Sequence, residues 1–166
     1  MILNILMILL GLSMLIYSFF EIRVYGSLYF DRDYHCIEKF RKNTKATDLV
    51  GCIHNITKCA FGFTLIVVGL KRWMPESSYA VVNASLLVSF VILVLDVLVV
   101  EGVTRALGLK EIRASIANQW HTQKHITPEN NHEVNLYRGT VRVTQQYPKH
   151  IVAMGACMLV LLVFGM

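Results

Sequence analysis

Apolar residues in this chain are gathered into four long blocks, without the polar positions every third or fourth residue that a water-facing helix needs. The first block, residues 1–20, reads MILNILMILLGLSMLIYSFF and carries no charge. The others cover about 49–70, 79–100 and 150–166. Each approaches the ~20 residues needed to cross ~30 Å of hydrocarbon as a helix. The last is shorter, at about 25 Å of helix, and so crosses steeply or thins the bilayer locally. All three prolines (Pro75, Pro128, Pro148) fall in the intervening segments, so the spanning helices are expected to be continuous. The fold class is therefore all-α integral membrane: a single four-helix transmembrane bundle with loops of about 21–48 and 101–149. The first block has no basic segment ahead of it and no small-x-small cleavage site before Glu21 and Arg23, which predicts an anchor that is not removed.

Composition agrees with this pattern and excludes other classes. Hydrophobic residues make up 55% of the 166 and charged residues 16%, with a mean hydropathy of +0.51; a globular domain carries about 25% charge. The four cysteines have neither CxxC nor zinc-finger spacing. The net charge of +5 does not imply nucleic acid, because Lys and Arg accumulate on the cytoplasmic side of membrane proteins.

That bias also predicts orientation. Lys and Arg number six between the first and second blocks, two between the second and third, and seven between the third and fourth. The first and third loops are thus expected in the cytoplasm and both termini on the outer face, in a bacterial inner membrane.

Ionisable residues inside spans are costly and mark function or partners. His54, Thr57, Lys58 and Thr64 share one face of the second span, and Ser85, Ser89 and Asp96 share one face of the third. Counted from the short loop joining these spans, Lys58 lies about 18 Å deep, His54 about 24 Å and Asp96 about 25 Å. A polar cluster of His54, Lys58 and Asp96, with Ser89 nearby, is expected. Ala80/Ala84, Ser85/Ser89 and Ala153/Cys157 are small-xxx-small pairs that permit close helix approach.

The loops hold the remaining candidates. Tyr25, Tyr29, Phe30 and Tyr34 resemble a headgroup-level aromatic belt. Lys39, Arg41, Lys42 and Lys45 would attract anionic lipid or a partner. Leu109, Ile112, Ile116 and Trp120 form one stripe of an amphipathic helix, flanked by Lys110 and Arg113, suited to the inner leaflet or a partner. The stretch 134–147 alternates weakly around Gly139 and is read as a small hairpin. His121, His125 and His132 are the candidates for a metal, but HExxH is absent and no metal is expected. His54 and His150 are the pair that would hold a haem; only His54 lies well within a span, so no cofactor is expected. P-loop, GxGxxG and GxSxG patterns are absent.

These features predict a non-catalytic accessory, assembly or immunity-type subunit that binds another membrane protein in the bilayer and through its basic loops. The alternative is a small ion- or proton-conducting homo-oligomer using His54, Lys58 and Asp96. A topology reporter fused after Met166 is expected to be active on the outer face; activity only in the cytoplasm would overturn the orientation.

Overall fold

The computed structural model describes residues 1–30, 38–122 and 131–164, with side chains for 1–26, 43–118 and 134–163. The described residues are almost all helical, in the order α1 (Ile2–Phe30), α2 (Glu38–Leu70), α3 (Tyr79–Ala106), α4 (Leu109–Thr122), α5 (Asn131–Val141) and α6 (Tyr147–Phe164). Two 3₁₀ turns, Lys71–Trp73 and Glu76–Ser78, join α2 to α3 around an extended Pro75. Gly108 separates α3 from α4 with φ +57°, a left-handed conformation in which glycine alone avoids a Cβ penalty.

Four stretches are long and apolar enough to cross a membrane: Ile2–Gly26, Asn43–Trp73, Glu76–Ala106 and Val134–Val163. Outward faces such as Leu87, Val91, Leu95 and Leu98 of α3 are exposed, an apolar area that water would not tolerate. The helices run beyond the apolar blocks because their ends are packed. α2 begins well before residue 49, and Thr44, Thr47 and Asp48 in that extension are buried.

The hairpin expected over 134–147 is not formed. Leu136, Thr140, Val143 and Tyr147 are all buried, and their spacing of four, three and four residues is a helical stripe continued by Ile151, Met154 and Met158. Gly139, read as the hairpin centre, instead lets α5 approach α2: a Cβ there would lie 2.5 Å from Thr47 Oγ1. Pro148, expected in a connection, lies within α6. A proline ring clashes with the carbonyl four residues earlier. A π-helical turn over Arg142–Gln146, with Tyr147 N–H donating to Arg142 O, precedes it and widens the ladder there.

Packing is organised around α2. Its most apolar stretch is 56% buried, against 11% for α1. Asp48, Asn55, Gly62 and Gly69 of α2 recur every seventh residue, as do Asn4, Gly11, Ser18 and Tyr25 of α1. The two series face each other: Asn4 Nδ2 donates to Gly69 O at 3.2 Å, and Gly11 and Gly62 touch backbone to backbone. α3 lays a stripe of Val82, Leu86, Ser89, Leu93, Asp96, Val100 and Thr104 against the interior. Val67, Val68, Val82 and Leu86 form an apolar layer near the α2–α3 turn.

The stripe of α4 packs inside the same chain. Leu109 and Ile116 are buried and Ile112 lies against the core cluster; Arg113 Nη1 donates to Thr144 Oγ1 at 2.8 Å. Leu109, Ile112 and Ile116 are therefore not a free surface, which corrects the expectation of a leaflet- or partner-facing stripe for these three residues. Tyr25 is likewise 5% exposed and lies beneath Arg142.

A side chain larger than glycine at residue 62 would push α1 off α2, because the atom it meets is the Gly11 backbone oxygen at 2.9 Å. Gly62→Leu is expected to lower stability by about 2 kcal/mol or more, measured by denaturant titration in micelles. Gly102→Ala, with nothing within 4 Å of the new Cβ, is expected to be neutral or slightly stabilising.

Candidate functional site

Polar side chains on α2 solve their burial in two ways. Some bond to their own helix: Asn55 Nδ2 to Gly51 O at 2.9 Å, Thr57 Oγ1 to Ile53 O at 3.2 Å and Thr47 Oγ1 to Thr44 O at 2.8 Å. Others reach across. Thr64 and Ser89 hydroxyls meet at 2.7 Å, and Ser89 Oγ donates to Ala60 O at 3.0 Å. These hydroxyl bonds clamp α2 to α3, which places Ser89 in the helix packing about two turns from Asp96.

His54 and Asp96 are both 0% exposed, and His54 Nδ1 lies 2.7 Å from Asp96 Oδ2. Their common depth follows from the short α2–α3 turn. On the far side of the ring, His54 Nε2 is 3.2 Å from His150 Nδ1. The Tyr147 ring stacks on His54 with centroids 4.1 Å apart. Asp96 Oδ1 has no hydrogen-bond partner among the described residues. The three side chains thus form one chain from a buried carboxylate to His150, which lies on the wall of a groove between α1 and α6.

With Asp96 ionised, its oxygen must accept from His54 Nδ1–H. His54 Nε2 then carries a lone pair, His150 Nδ1–H donates to it, and His150 Nε2 is left as a base. A proton arriving at that atom moves positive charge towards Asp96 through two imidazoles.

Lys58, expected in the same cluster, turns instead towards α1. Its Nζ lies 3.6 Å from Glu21 Oε2 and 5.7 Å from the centre of the Tyr17 ring, while Tyr17 OH donates to Glu21 Oε1 at 2.8 Å. Four residues advance the helix by about 400°, so Lys58 stands only about 40° round from His54, and its long side chain reaches Glu21 of α1 instead of Asp96 of α3.

Two cavities adjoin these groups. The groove, about 400 Å³, is lined by Met14, Tyr17, Lys58, Phe61, His150 and Met154 among others. A cleft of about 340 Å³ between α1, α2 and α5 is lined by Tyr17, Glu21, Tyr25, Asp48, Arg138 and Arg142 among others. Tyr17 borders both.

Of the other sequence candidates, Lys45 is half-buried on α2. The side chains of Lys39, Arg41, Lys42, Trp120, His121 and His132 lie outside the described residues, as does the whole of His125. Among the described residues no three His, Cys, Asp or Glu side chains are grouped to hold a metal. Glu21, Tyr147, Arg138 and Arg142 were not anticipated as site residues. Glu21 ends an uncharged block, and only its position four residues after Tyr17 signals a shared helical face. Arg138 and Arg142, also four apart, became visible as a pair once 134–147 was helical. Compared with known proteins, the chain matches no family model, no curated protein and no solved structure.

Double-mutant cycles separate the two arrangements of Lys58. Coupling of about 0.6 kcal/mol or more, the scale of polar contacts between membrane helices, is expected for Lys58 with Glu21, and E21K/K58E should recover part of the stability that each single reversal loses. Stronger coupling of Lys58 to Asp96 would contradict the geometry.

Proposed function

We propose that the protein is a small proton-handling membrane protein of the transport class, in which Asp96, His54 and His150 load and release a proton through the groove between α1 and α6. The observation that carries this reading is the unbroken carboxylate–imidazole–imidazole chain with one end buried and the other opening sideways. A helix-packing role alone would need only pairwise satisfaction, as Thr64 and Ser89 achieve. A third titratable group in line provides transfer as well as adhesion.

An always-open pore fits poorly. Beyond the relay, towards the α2–α3 turn, stand the Thr64–Ser89 clamp and the apolar layer of Val67, Val68, Val82 and Leu86. The proton site therefore has access from one side, and transfer across the membrane would require a rearrangement. The π-helical turn at Arg142–Gln146, a few residues before His150, is the local irregularity at which α6 can adjust. The distribution of Lys and Arg supports placing this end of the bundle at the cytoplasmic face of a bacterial inner membrane, with both termini outside. Docking to another membrane protein is the second reading, now supported by the basic cluster around Lys45 and no longer by the stripe of α4.

The test is ¹⁵N NMR of the histidines in the reconstituted protein from about pH 5 to about pH 8, the range in which imidazole ordinarily changes charge. The resonances of His54 and His150 are expected to move together, and Asp96→Asn should uncouple them without loss of helicity. Resonances that stay fixed over this range, or that move identically in Asp96→Asn, would overturn the proposal. A second polypeptide copurifying in fixed ratio with a pH-silent His54 would shift the assignment to a docking subunit.

A further inference from the structure

We infer that the cleft and the groove together form a single lateral site for a bilayer lipid with a monoanionic phosphodiester headgroup. Charge, polarity and length point to this ligand without any of the relay's chemistry, although the lipid would occupy the groove on whose wall His150 lies.

Arg138 and Arg142 line the cleft one helical turn apart. Arg142 lies over the Tyr25 ring, with 5.4 Å to its centroid, and neither arginine has a carboxylate within ion-pair distance among the described residues. The cleft also holds two carboxylates. Glu21 is paired with Lys58, and Asp48 is buried and has interactions of its own. Counting Lys58 with the two arginines, cations exceed carboxylates by one. That balance suits one negative charge, and the planar guanidinium forks match phosphate oxygens.

The groove that continues past Tyr17 is of opposite character. Beyond Lys58, His150 and the Ser18 hydroxyl, its walls are Met14, Phe61, Ala153, Met154 and Cys157, a mainly apolar surface for a hydrocarbon chain. It stays open because α1 packs along α2 and makes no comparable contact with α6. Fifteen residues separate Arg142 from Cys157, about 22 Å along a helix. That is the depth of one leaflet, half of the ~40–45 Å between the outer edges of the headgroup regions. Polar head site and apolar chamber are thus spaced as in one lipid molecule.

Native mass spectrometry of the full-length protein in mild detergent tests this with three probes: phosphatidylglycerol, diacylglycerol with the same tails, and glycerol phosphate without tails. One phosphatidylglycerol per chain is expected, held about tenfold more tightly than diacylglycerol, as for a charge-assisted bidentate pair. Arg138→Gln with Arg142→Gln should weaken retention about tenfold, and Arg138→Lys with Arg142→Lys should restore part of it. Ala153→Trp fills the chamber away from the arginines and should also weaken retention while helicity by circular dichroism is unchanged. Equal retention of diacylglycerol, or full retention by the glutamine double variant, would overturn the proposal. So would displacement of the lipid by glycerol phosphate at matching concentration, because the site would then recognise a free phosphate ester.

Discussion

Burying polar side chains in a bundle surrounded by lipid is the constraint from which the rest of this architecture follows. In hydrocarbon an unpaired hydroxyl, amide or carboxylate has no water to turn to. The helix with the most such groups, α2, is accordingly the most enclosed. Every other spanning helix presents it with something polar or small. α1 offers Asn4, Gly11 and Glu21; α3 offers Ser89 and Asp96; and the last span offers Gly139 and His150.

The solutions differ along the length of the bundle. Near the α2–α3 turn the contacts are close glycine packing, a hydrogen bond between two hydroxyls, and a layer of valines and leucines. These interactions are saturated and give the chain no titratable group. Towards the other end the same problem is met with Asp96, His54, His150, Glu21, Lys58 and the two arginines. Of these, His150, Glu21, Lys58 and the two arginines border the groove and the cleft. The π-helical turn belongs to this end as well. It accommodates Pro148 and brings Arg142 over Tyr25 and His150 to His54.

Much of the interior was legible from depth counting. His54 and Asp96 were placed at one level because a short turn fixes the relative height of α2 and α3, and that argument needs only the rise per residue. It failed for Lys58, since depth says nothing about azimuth, and a neighbouring α1 bearing Glu21 competed for the lysine. The small-xxx-small pairs drew attention to α3 and α6, while the close approach occurs in a seven-residue series on α1 and α2. Gly11, Gly62 and Gly69 are too widely spaced for a four-residue search. The hairpin reading of 134–147 failed because a buried helical stripe interrupted by Gly139 and followed by Pro148 mimics weak alternation.

The sequence alone determined that this chain is helical and membrane-spanning, since uncharged runs of about twenty residues have no other stable form in contact with lipid. It also determined which spans carry ionisable groups. Tertiary structure decided which of these groups meet. Pairing depends on helix rotation, and rotation is set by glycine contacts and a π-helical turn that only the assembled bundle can place. The His54–His150 contact, the Glu21–Lys58 pair and the groove between α1 and α6 all arise at that level. Each joins residues that are distant in the chain and adjacent only after four helices have settled around the polar face of one.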